Sequence, residues 1–210
     1  MYKSVVTGGA GFIGSNLVDH LVKNNHKVLV IDNFSTGRKS NLSHLKGKIK
    51  IANIDITKSK NLDKYFKGVD YVFHLAGLAD IVPSIENPKK YFDTNVTGTL
   101  NILRAAKNKK IKKLVYAASA SCYGIPKDYP TSENAKISPM YPYAFTKWQG
   151  EELVKHWSKV FNLPYVSLRF FNAYGPRSRT TGAYGAVFGV FLAQKNKKKP
   201  LTIVGNGNQT

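Results

Sequence analysis

Cysteine is almost absent from this sequence of 210 residues, which contains a single one at position 122. One cysteine excludes an internal disulfide, and no Cys/His cluster has zinc-site spacing, so we predict neither a disulfide scaffold nor a metal centre. Apolar runs of about 18 residues, which a membrane-spanning helix requires, are also missing. The amino-terminal MYKSVVTGG enters a strand pattern without a signal-peptide core. We therefore expect a cytoplasmic protein with no membrane partner, and Cys122 as a small buried residue.

Acidic residues are scarce as well. The chain has 12 Asp and Glu against 32 Lys and Arg, which gives a formal net charge of +20. Such a balance raises the question of nucleic-acid binding. The lysine runs at 107–114 and 195–200 follow predicted helices, however, and carry no interleaved aromatic residues. We interpret them as solvated surfaces and predict no nucleic-acid partner.

Six short segments of continuous, β-branched hydrophobicity are typical of parallel strands buried on both faces. They lie at 3–8, 27–32, 48–55, 70–77, 112–119 and 164–171. Helical patterns separate them near 12–24, 60–67, 85–108 and 143–160. This alternation predicts an α/β fold with a Rossmann-type doubly wound parallel sheet. His74, inside the fourth segment, is interpreted as a structural residue.

A glycine-rich turn follows the first predicted strand. Residues 9–14, Gly-Ala-Gly-Phe-Ile-Gly, fit the dinucleotide fingerprint, in which glycines permit a tight turn and close approach of the backbone to a pyrophosphate. Asp32 ends the second predicted strand, where a carboxylate accepts hydrogen bonds from a ribose diol. That carboxylate repels a 2′-phosphate and favours NAD over NADP, although Arg38 and Lys39 leave NADP open.

Tyr143 and Lys147 open the last of these predicted helices. Residues four apart lie on one helical face, so the phenol and the ammonium can point into the same space. This spacing is also a common accident, and it carries meaning only if that space holds a site. A nearby ammonium and the positive nicotinamide ring favour phenolate, so we expect the pKa of Tyr143 to fall below its usual value of about 10.

Seven motifs stand in an order and spacing that identify a family resemblance. They are TGGAGFIGSN, DNFSTGR, HLAG, NVTGTLNIL, SASCYG, YPYAFTK and RFFNAYGPR. The sequence resembles the extended short-chain dehydrogenase/reductase family, and within it the NAD-dependent nucleotide-sugar epimerases of the UDP-glucose 4-epimerase type. The resemblance, from about residue 3 to residue 210, implies an NAD-binding domain at 1–170 that carries the catalytic residues. It also implies the incomplete beginning of a smaller substrate domain at 171–210.

The resemblance assigns roles to individual residues. It implies that Tyr143 is the catalytic acid/base, that Lys147 is its partner and a ribose ligand, and that Ser119 hydrogen-bonds the sugar. The implied cofactor-binding residues are Gly8, Gly11, Phe12, Ile13, Gly14, Asp32, Asn33, Asp55, Ile56, Leu75, Ala76, Gly77, Tyr143, Lys147 and Phe170. The implied substrate-binding residues are Ser84, Ser119, Ser121, Tyr143 and Asn172.

Simpler interpretations exist for some of these residues. Asp55 could be a solvated strand-end carboxylate, Ser84 a helix N-cap and Asn172 a polar turn residue. Two positions depart from the family: Phe170 stands where many relatives have Tyr, and Ala79 stands where some epimerases have Lys.

Ala120 and Ser121 after Ser119 bear on the reaction. Family dehydratases carry Asp-Glu directly after the catalytic hydroxyl residue, and decarboxylases usually carry Glu two positions after it. We therefore expect epimerisation of a UDP-sugar, with UDP-glucose/UDP-galactose at C4 through a transient 4-keto intermediate as the preferred reaction. Another nucleotide-sugar dehydrogenase, dehydratase or decarboxylase, or a non-catalytic NAD-binding module, remains open.

The final segment, LTIVGNGNQT, resembles the first part of a family segment that continues further in relatives. We expect a homodimer in the full-length form. For the chain as given, we expect NAD binding without useful epimerisation of UDP-sugars. We also expect a helix at 183–194 whose exposed apolar residues promote self-association. Those residues are Val187, Phe188, Val190, Phe191 and Leu192.

Overall fold

A computed structural model describes residues 1–58, 62–107, 109–178, 187–203 and 205–206. The chain divides into two compact units, Met1–Phe171 and Asn172–Thr210. The first unit holds the whole sheet and all but one of the described α-helices. It therefore contains all the predicted cofactor-binding residues.

Six parallel strands form one sheet in the order β3-β2-β1-β4-β5-β6. They are β1 (Lys3–Thr7), β2 (Lys27–Asp32), β3 (Lys50–Asn53), β4 (Tyr71–His74), β5 (Lys113–Ser119) and β6 (Tyr165–Phe170). This strand order confirms the predicted Rossmann-type fold. The order reverses between β1 and β4, and ligands of such sheets bind beyond the carboxyl ends of the strands at that point.

Six α-helices are described. They are α1 (Phe12–Lys23), α2 (Ile81–Glu86), α3 (Pro88–Phe92), α4 (Gly98–Ala106), α5 (Pro142–Phe161) and α6 (Val187–Asn196). Short 3₁₀ segments lie at Lys39–Leu45, Leu62–Phe66 and Ala120–Tyr123, and one π-helical turn lies at Asp93–Thr97. Within the described part of the chain, none of these helices combines the length and hydrophobicity needed to cross a membrane.

The predicted continuous helix at 85–108 is wrong in detail. The chain forms α2 and α3 separately, and the break falls at Asn87, whose φ of −138° and ψ of 69° are not helical. A residue before proline is pushed out of the helical region, because the proline ring clashes with its backbone. Pro88 then starts α3, and the Asn87 side chain accepts a hydrogen bond from the Lys90 N–H. The proline thus restarts the helix.

Two apolar clusters cover the two faces of the sheet. On one face, Phe66, Ile102 and Tyr116 are fully buried with side chains from α4 and α5. On the other face, Val18 of α1 packs with Val30 and other residues of β1 and β2. The sheet is therefore sandwiched between two helical layers, as the sequence predicted.

The edge strands differ from the prediction of burial on both faces. Ile51 of β3 and Val166 and Leu168 of β6 are exposed. An edge strand has a neighbour on one side only, so solvent reaches more of its side chains. Continuous hydrophobicity predicted the strands correctly but overstated the burial of these two.

The second unit contains α6. The Tyr174 ring lies 5.2 Å from that of Phe188, and the Gln194 amide hydrogen-bonds the Thr202 hydroxyl. The predicted exposure of Phe188 and Leu192 is confirmed. Residues 183–186 of the predicted helix, and the Val187 side chain, lie outside the described part.

Candidate active site

The turn after β1 leaves no room for side chains. Gly8 has a φ of +68°, and a Cβ there would lie 2.7 Å from the Ala76 nitrogen. A Cβ on Gly14 would overlap the Gly8 carbonyl oxygen. The Gly11 N–H donates to that same carbonyl at 3.1 Å, which closes the turn. Glycine is thus required both by the backbone conformation and by the close approach of α1 to the turn.

The amino terminus of α1 is suited to a pyrophosphate. Gly11 occupies its N-cap position, and no side chain caps the helix. The first N–H groups of a helix have no acceptor within it, and the helix dipole favours an anion there. Phe12, Ile13 and Gly14 supply these N–H groups. The turn forms a cradle that any added Cβ atom would fill, and this cradle lies next to uncapped N–H groups. The arrangement fits the diphosphate of NAD.

Asp32 lies at the carboxyl end of β2 and is buried. Its Oδ2 accepts the Ala10 N–H at 2.9 Å, and its Oδ1 accepts the Phe34 N–H at 2.8 Å. Asp32 therefore joins the glycine turn to the turn after β2. Each carboxylate oxygen can accept about two hydrogen bonds, so both keep capacity for a ribose diol.

We predict that Asp32→Asn weakens NAD binding by about 1.5–3 kcal/mol, or roughly 10- to 150-fold, because a charge-assisted hydrogen bond is lost. It should also reduce the preference for NAD over NADP. Asparagine is chosen over alanine because its carbonyl can still accept a backbone N–H. Titration calorimetry with both cofactors measures the change, and Asp63→Asn, at an exposed position, is the control. Tighter binding of NADP than NAD by the unaltered protein would contradict the assignment of Asp32.

Asp55 is engaged in a local turn. Its Oδ1 accepts hydrogen bonds from the Thr57 N–H at 2.9 Å and the Thr57 hydroxyl at 2.8 Å. Burial raises the pKa of Asp55, but these bonds, one from the Asn33 side chain and the charge of Lys58 outweigh it and lower the pKa overall. The Ile56 side chain is buried in the core against Gly98. Asp55 thus has a structural role, and its binding to the cofactor stays a prediction.

Leu75, Ala76 and Gly77 follow β4 and pass beside the glycine turn. The Leu75 N–H donates to the Thr7 carbonyl, and the Ala76 N–H donates to the Thr7 hydroxyl at 3.2 Å. A Cβ on Gly77 would lie 3.0 Å from the Asn95 Oδ1 and 3.7 Å from the Lys147 Nζ. This segment therefore brings the carboxyl ends of β1 and β4 close to the ammonium of α5.

Asn95 fixes that segment to α5. Its amide exchanges hydrogen bonds with the Leu78 backbone, from the Leu78 N–H at 2.9 Å and to the Leu78 carbonyl at 3.0 Å. The amide also donates to the Thr146 hydroxyl at 3.1 Å. Asn95 lies in the π-helical turn, and such turns occur frequently at functional sites.

His74 lies beneath the site and is fully buried. Its Nδ1 is 2.7 Å from the Thr7 hydroxyl, and its Nε2 is 3.0 Å from the Thr99 hydroxyl. The Thr99 hydroxyl donates its hydrogen bond to the Asn95 carbonyl. It therefore accepts a hydrogen bond from His74, and the imidazole carries its hydrogen on Nε2. Burial and then the charge of Lys147 lower the pKa of His74 to about 3. The prediction of a structural histidine is confirmed.

The predicted catalytic hydroxyl groups are adjacent. Tyr143, in the first turn of α5, donates a hydrogen bond to the Ser119 hydroxyl at 3.1 Å. The Ser119 hydroxyl donates to the Ser121 hydroxyl at 3.1 Å and accepts the Ser121 N–H at 3.2 Å. Residues 24 positions apart in the chain are thus within hydrogen-bond distance. A general acid/base requires this reach to the groups with which it exchanges protons.

Lys147 lies one helical turn after Tyr143 and is buried. Its Nζ stands 4.5 Å above the centre of the Tyr116 ring. Among the described residues, none accepts a hydrogen bond from this ammonium. Burial lowers the pKa of Lys147 to about 8, against the opposing charge of Glu151. The ammonium is held in place by packing, and its hydrogen-bonding capacity is left for a ligand.

In the protein without a cofactor, the pKa of Tyr143 is raised, and the lowering expected with the nicotinamide ring bound stays a prediction. Burial raises the pKa of this phenol, and the negative charge of Asp80 adds to the effect. Hydrogen bonds with Ser119 and Ser121 oppose it without reversing it. Forming a phenolate away from water is costly, and this cost is larger than the stabilisation from the two hydrogen bonds.

A model of the "NAD dependent epimerase/dehydratase family" matches residues 4–210. The chain belongs to this NAD-dependent epimerase/dehydratase family. The match covers the glycine turn, Asp32, Ser119 and the helix with Tyr143 and Lys147. It confirms the predicted family and, with it, NAD as the cofactor.

Relatives of the epimerase/dehydratase family agree with this placement. The chain is 41% identical over 209 residues to a Methanocaldococcus jannaschii protein provisionally named UDP-glucose 4-epimerase, covering 98% of this chain and 67% of that one. A UDP-N-acetylglucosamine 4-epimerase from Methanobrevibacter ruminantium, solved with UDP-N-acetylmuramic acid, is 37% identical with a TM-score of 0.94; coverage is 99% of this chain and 67% of that one. A UDP-glucuronic acid 4-epimerase from Bacillus cereus, solved with its UDP-sugar and NAD, is 35% identical with a TM-score of 0.89 and the same coverage.

Other residues assigned from the epimerase/dehydratase resemblance lie in different settings. Ser84 is not a helix N-cap: it lies inside α2, fully buried, and its hydroxyl donates to the Ile81 carbonyl. Phe170 pairs with Ser119 across β5 and β6. Asn172 belongs to the second unit and is exposed. Cys122 is buried, as predicted, and burial raises the pKa of its thiol. The roles of Ser84, Phe170 and Asn172 stay predictions.

Sequence reasoning missed several residues that shape this epimerase/dehydratase site. The motif NVTGTLNIL contains Asn95 but does not indicate its role, and the pattern of the fifth strand does not distinguish Tyr116. No motif indicates the ion pair between the buried Glu151 and the partly buried Arg169. Glu151 follows Lys147 by four residues, so the helical periodicity that linked Tyr143 to Lys147 could have found it.

Proposed function

We propose that this protein catalyses the NAD-dependent epimerisation of a UDP-sugar, with UDP-glucose/UDP-galactose at C4 as the preferred pair. The observation that carries the proposal is the 3.1 Å hydrogen bond between Tyr143 and Ser119, with the buried ammonium of Lys147 one helical turn away. The proposal treats Ser119, Tyr143 and Lys147 as the catalytic residues. It treats the glycine turn and Asp32 as cofactor ligands.

Tyr143 is proposed to exchange the proton of the sugar hydroxyl. As the C4 hydroxyl is oxidised to a ketone, its proton passes to the phenolate oxygen of Tyr143, and the proton returns when the ketone is reduced. When bound, NAD supplies the hydride acceptor and donor for C4. Ser119 orients the sugar oxygen beside the phenol. Because burial disfavours phenolate, positive charge is needed nearby. Lys147 is proposed to supply it together with the nicotinamide ring of bound NAD.

Epimerisation is favoured by what surrounds Ser119. Removal of water from a sugar needs an additional acid and base, and decarboxylases of this type use a glutamate. In this chain, Ala120 and Ser121 follow Ser119. The Ser121 N–H donates a hydrogen bond to the Ser119 hydroxyl, and the Ser121 hydroxyl accepts a hydrogen bond from it. A hydroxyl cluster of this kind supports reversible oxidation and reduction at one carbon.

The UDP moiety is proposed from the relatives, whose names or bound ligands include UDP-sugars with different sugar groups. Glucose, N-acetylglucosamine and glucuronic acid are therefore the sugars to compare. The homodimer and the cytoplasmic location also stay predictions.

The test uses the chain in two forms. One is the 210-residue chain, and the other is that chain joined to the carboxy-terminal third of the Methanocaldococcus relative, here called the completed chain. Each is incubated with NAD and UDP-glucose, UDP-N-acetylglucosamine or UDP-glucuronic acid, and the products are separated chromatographically. NAD binding by titration calorimetry confirms that each form is folded.

We expect the completed chain to produce the C4 epimer without net formation of NADH. Stoichiometric NADH would identify a dehydrogenase, and a dehydrated or decarboxylated product would identify those reactions. NAD binding without any product from the completed chain would contradict the proposed function and favour an NAD-binding module.

A further inference from the structure

Glu151 lies on the same face of α5 as the predicted catalytic residues. Positions 143, 147 and 151 follow one another at intervals of four, so the three side chains lie along one helical stripe. The Glu151 side chain is 4% exposed, which is rare for a carboxylate. Its neighbour Glu152 is exposed and forms a surface ion pair with Lys155 at 2.7 Å. The two glutamates thus offer a buried position and a matched exposed one.

Arg169 of β6 connects Glu151 to the segment after Ser119. Its Nε donates to the Glu151 Oε2 at 3.0 Å. One terminal nitrogen donates to the Tyr123 hydroxyl at 2.7 Å and to the Glu133 carbonyl at 3.0 Å. Tyr123 ends the short 3₁₀ segment that begins directly after Ser119. A single planar guanidinium therefore joins α5, β6, the Ser119 turn and the following loop.

Stability alone is a poor explanation for this pair. Removing the Glu151 carboxylate from water is costly, and the Arg169 side chain, which is 17% exposed, also loses part of its hydration. Well-packed apolar residues often serve folding equally well. What the pair provides is a defined position for each segment it joins. The segments in question carry Tyr143 on one side and Ser119 on the other, whose hydroxyl groups must stay within hydrogen-bond reach.

We propose that Glu151 is a positioning residue, which holds the helix bearing Tyr143 and Lys147 against the turn bearing Ser119. The inference rests on the proposed function, because it assumes that these three residues act on one substrate. It adds a residue that touches neither substrate nor cofactor. Glu151 acts through Arg169 and Tyr123 on position, and through its charge on Lys147.

The electrostatic setting of Lys147 supports the proposed effect of the Glu151 charge on this ammonium. The titratable groups that contact its ammonium or interact with its charge are His74 from β4, Tyr116 from β5 and Glu151 from α5 itself. Tyr143 lies on the same stripe of α5. His74 is neutral at physiological pH, and burial raises the pKa values of both tyrosines. Glu151 is therefore the anion of this group. Its charge favours the ammonium form of Lys147 against the cost of burial.

The first experiment measures NAD affinity against pH for the 210-residue chain. Lys147 loses its charge as the pH rises through a pKa of about 8, so NAD binding should weaken there. A nearby opposite charge shifts a pKa by roughly one to three units. Arg169 and Lys155, which pair with Glu151 at 3.0 Å and 3.7 Å, offset part of the effect of its charge. We therefore expect Glu151→Gln to lower the midpoint pH, at which NAD binding weakens, by about one pH unit. Glu152→Gln should leave the midpoint in place, and Glu151→Asp, which keeps the charge, should restore it.

The second experiment tests position without changing charge. Tyr123→Phe removes the hydroxyl that Arg169 contacts and leaves Glu151 intact. We expect it to lower the turnover of the completed chain by about tenfold or more, since small displacements of reacting groups reduce rates strongly. Its NAD affinity should not change. This variant also decides the question of position if Glu151→Gln fails to fold.

The outcomes separate the inference from the proposed function. Failure of the unaltered chain to bind NAD would overturn both. If NAD binds normally, equal midpoints for Glu151→Gln and Glu152→Gln would overturn the inference alone, as would a midpoint for Glu151→Asp as low as that for Glu151→Gln. Unchanged turnover in Tyr123→Phe would remove the positioning role, and the proposed function would stand.

Discussion

Tyr143→Phe should lower the turnover of UDP-sugars by the completed chain about 10²- to 10⁴-fold while NAD still binds. The substitution removes one oxygen atom, and with it the group proposed to exchange the sugar proton; general acid/base catalysis contributes about this much. Ser119 loses its hydrogen bond from the phenol but keeps those with Ser121. The ring stays in place, so little change in folding is expected.

Initial rates of epimer formation, with NAD affinity from calorimetry, measure this effect. Tyr141→Phe is the matched control, because Tyr141 stands two residues earlier and is exposed. Tyr141 occupies the N-cap position directly before α5, and its side chain does not cap the helix. Equal turnover for Tyr143→Phe and Tyr141→Phe would remove Tyr143 from the mechanism.

Lys147→Met should weaken NAD binding by roughly 10- to 150-fold, because it removes hydrogen bonds donated by a charged group, which contribute about 1.5–3 kcal/mol. It should at the same time stabilise the fold. The ammonium is buried over the Tyr116 ring, and methionine fills similar space without a charge. A residue kept for packing would behave in the opposite way, because its removal would destabilise the protein.

The size of the stability change depends on pH. The pKa of Lys147 falls from 10.5 to about 8 on folding, so the unfolded chain binds more protons between these values. Stability therefore rises with pH across that window, and the cost of the buried charge is fully present below it. At about 1.4 kcal/mol per unit, the cost is on the order of 3 kcal/mol, reduced by the contact with Tyr116. The advantage of Lys147→Met should thus be largest at neutral pH and shrink toward pH 10.5.

Thermal and urea unfolding at neutral and alkaline pH measure this difference. Lys159→Met, at an exposed position on the same helix, is the control and should change stability by no more than about 0.5 kcal/mol. A less stable Lys147→Met protein that retains full NAD affinity would show that this lysine is structural.

The parts of the site that depend on local backbone could be predicted from the sequence. The glycine turn is one, because Gly8 and Gly14 are required by a conformation and an approach that no other residue allows. Tyr143 and Lys147 are another, since helical periodicity fixes their common face. Asp32 follows directly from the end of a recognisable strand.

The rest depends on pairing across the fold. Glu151 and Arg169 meet only because α5 packs beside β6, and no local pattern connects positions on different elements. The direction of the Tyr143 pKa depends on burial, which composition does not reveal. The interpretation of Ser84 as a helix N-cap fails because the helix already begins at Ile81, so Ser84 lies inside it and its hydroxyl donates to the Ile81 carbonyl.

The enclosed imidazole of His74 gives the protein a natural spectroscopic reporter. Its Nε2 proton is held by Thr99 with no access to water, so it should exchange slowly with solvent and give a resolved nuclear magnetic resonance signal. The charge of Lys147 already acts on this ring. As that lysine titrates, or as a dinucleotide changes its surroundings, the resonance should move although His74 itself does not change protonation. One native proton therefore follows the charge of the site without any label or substitution.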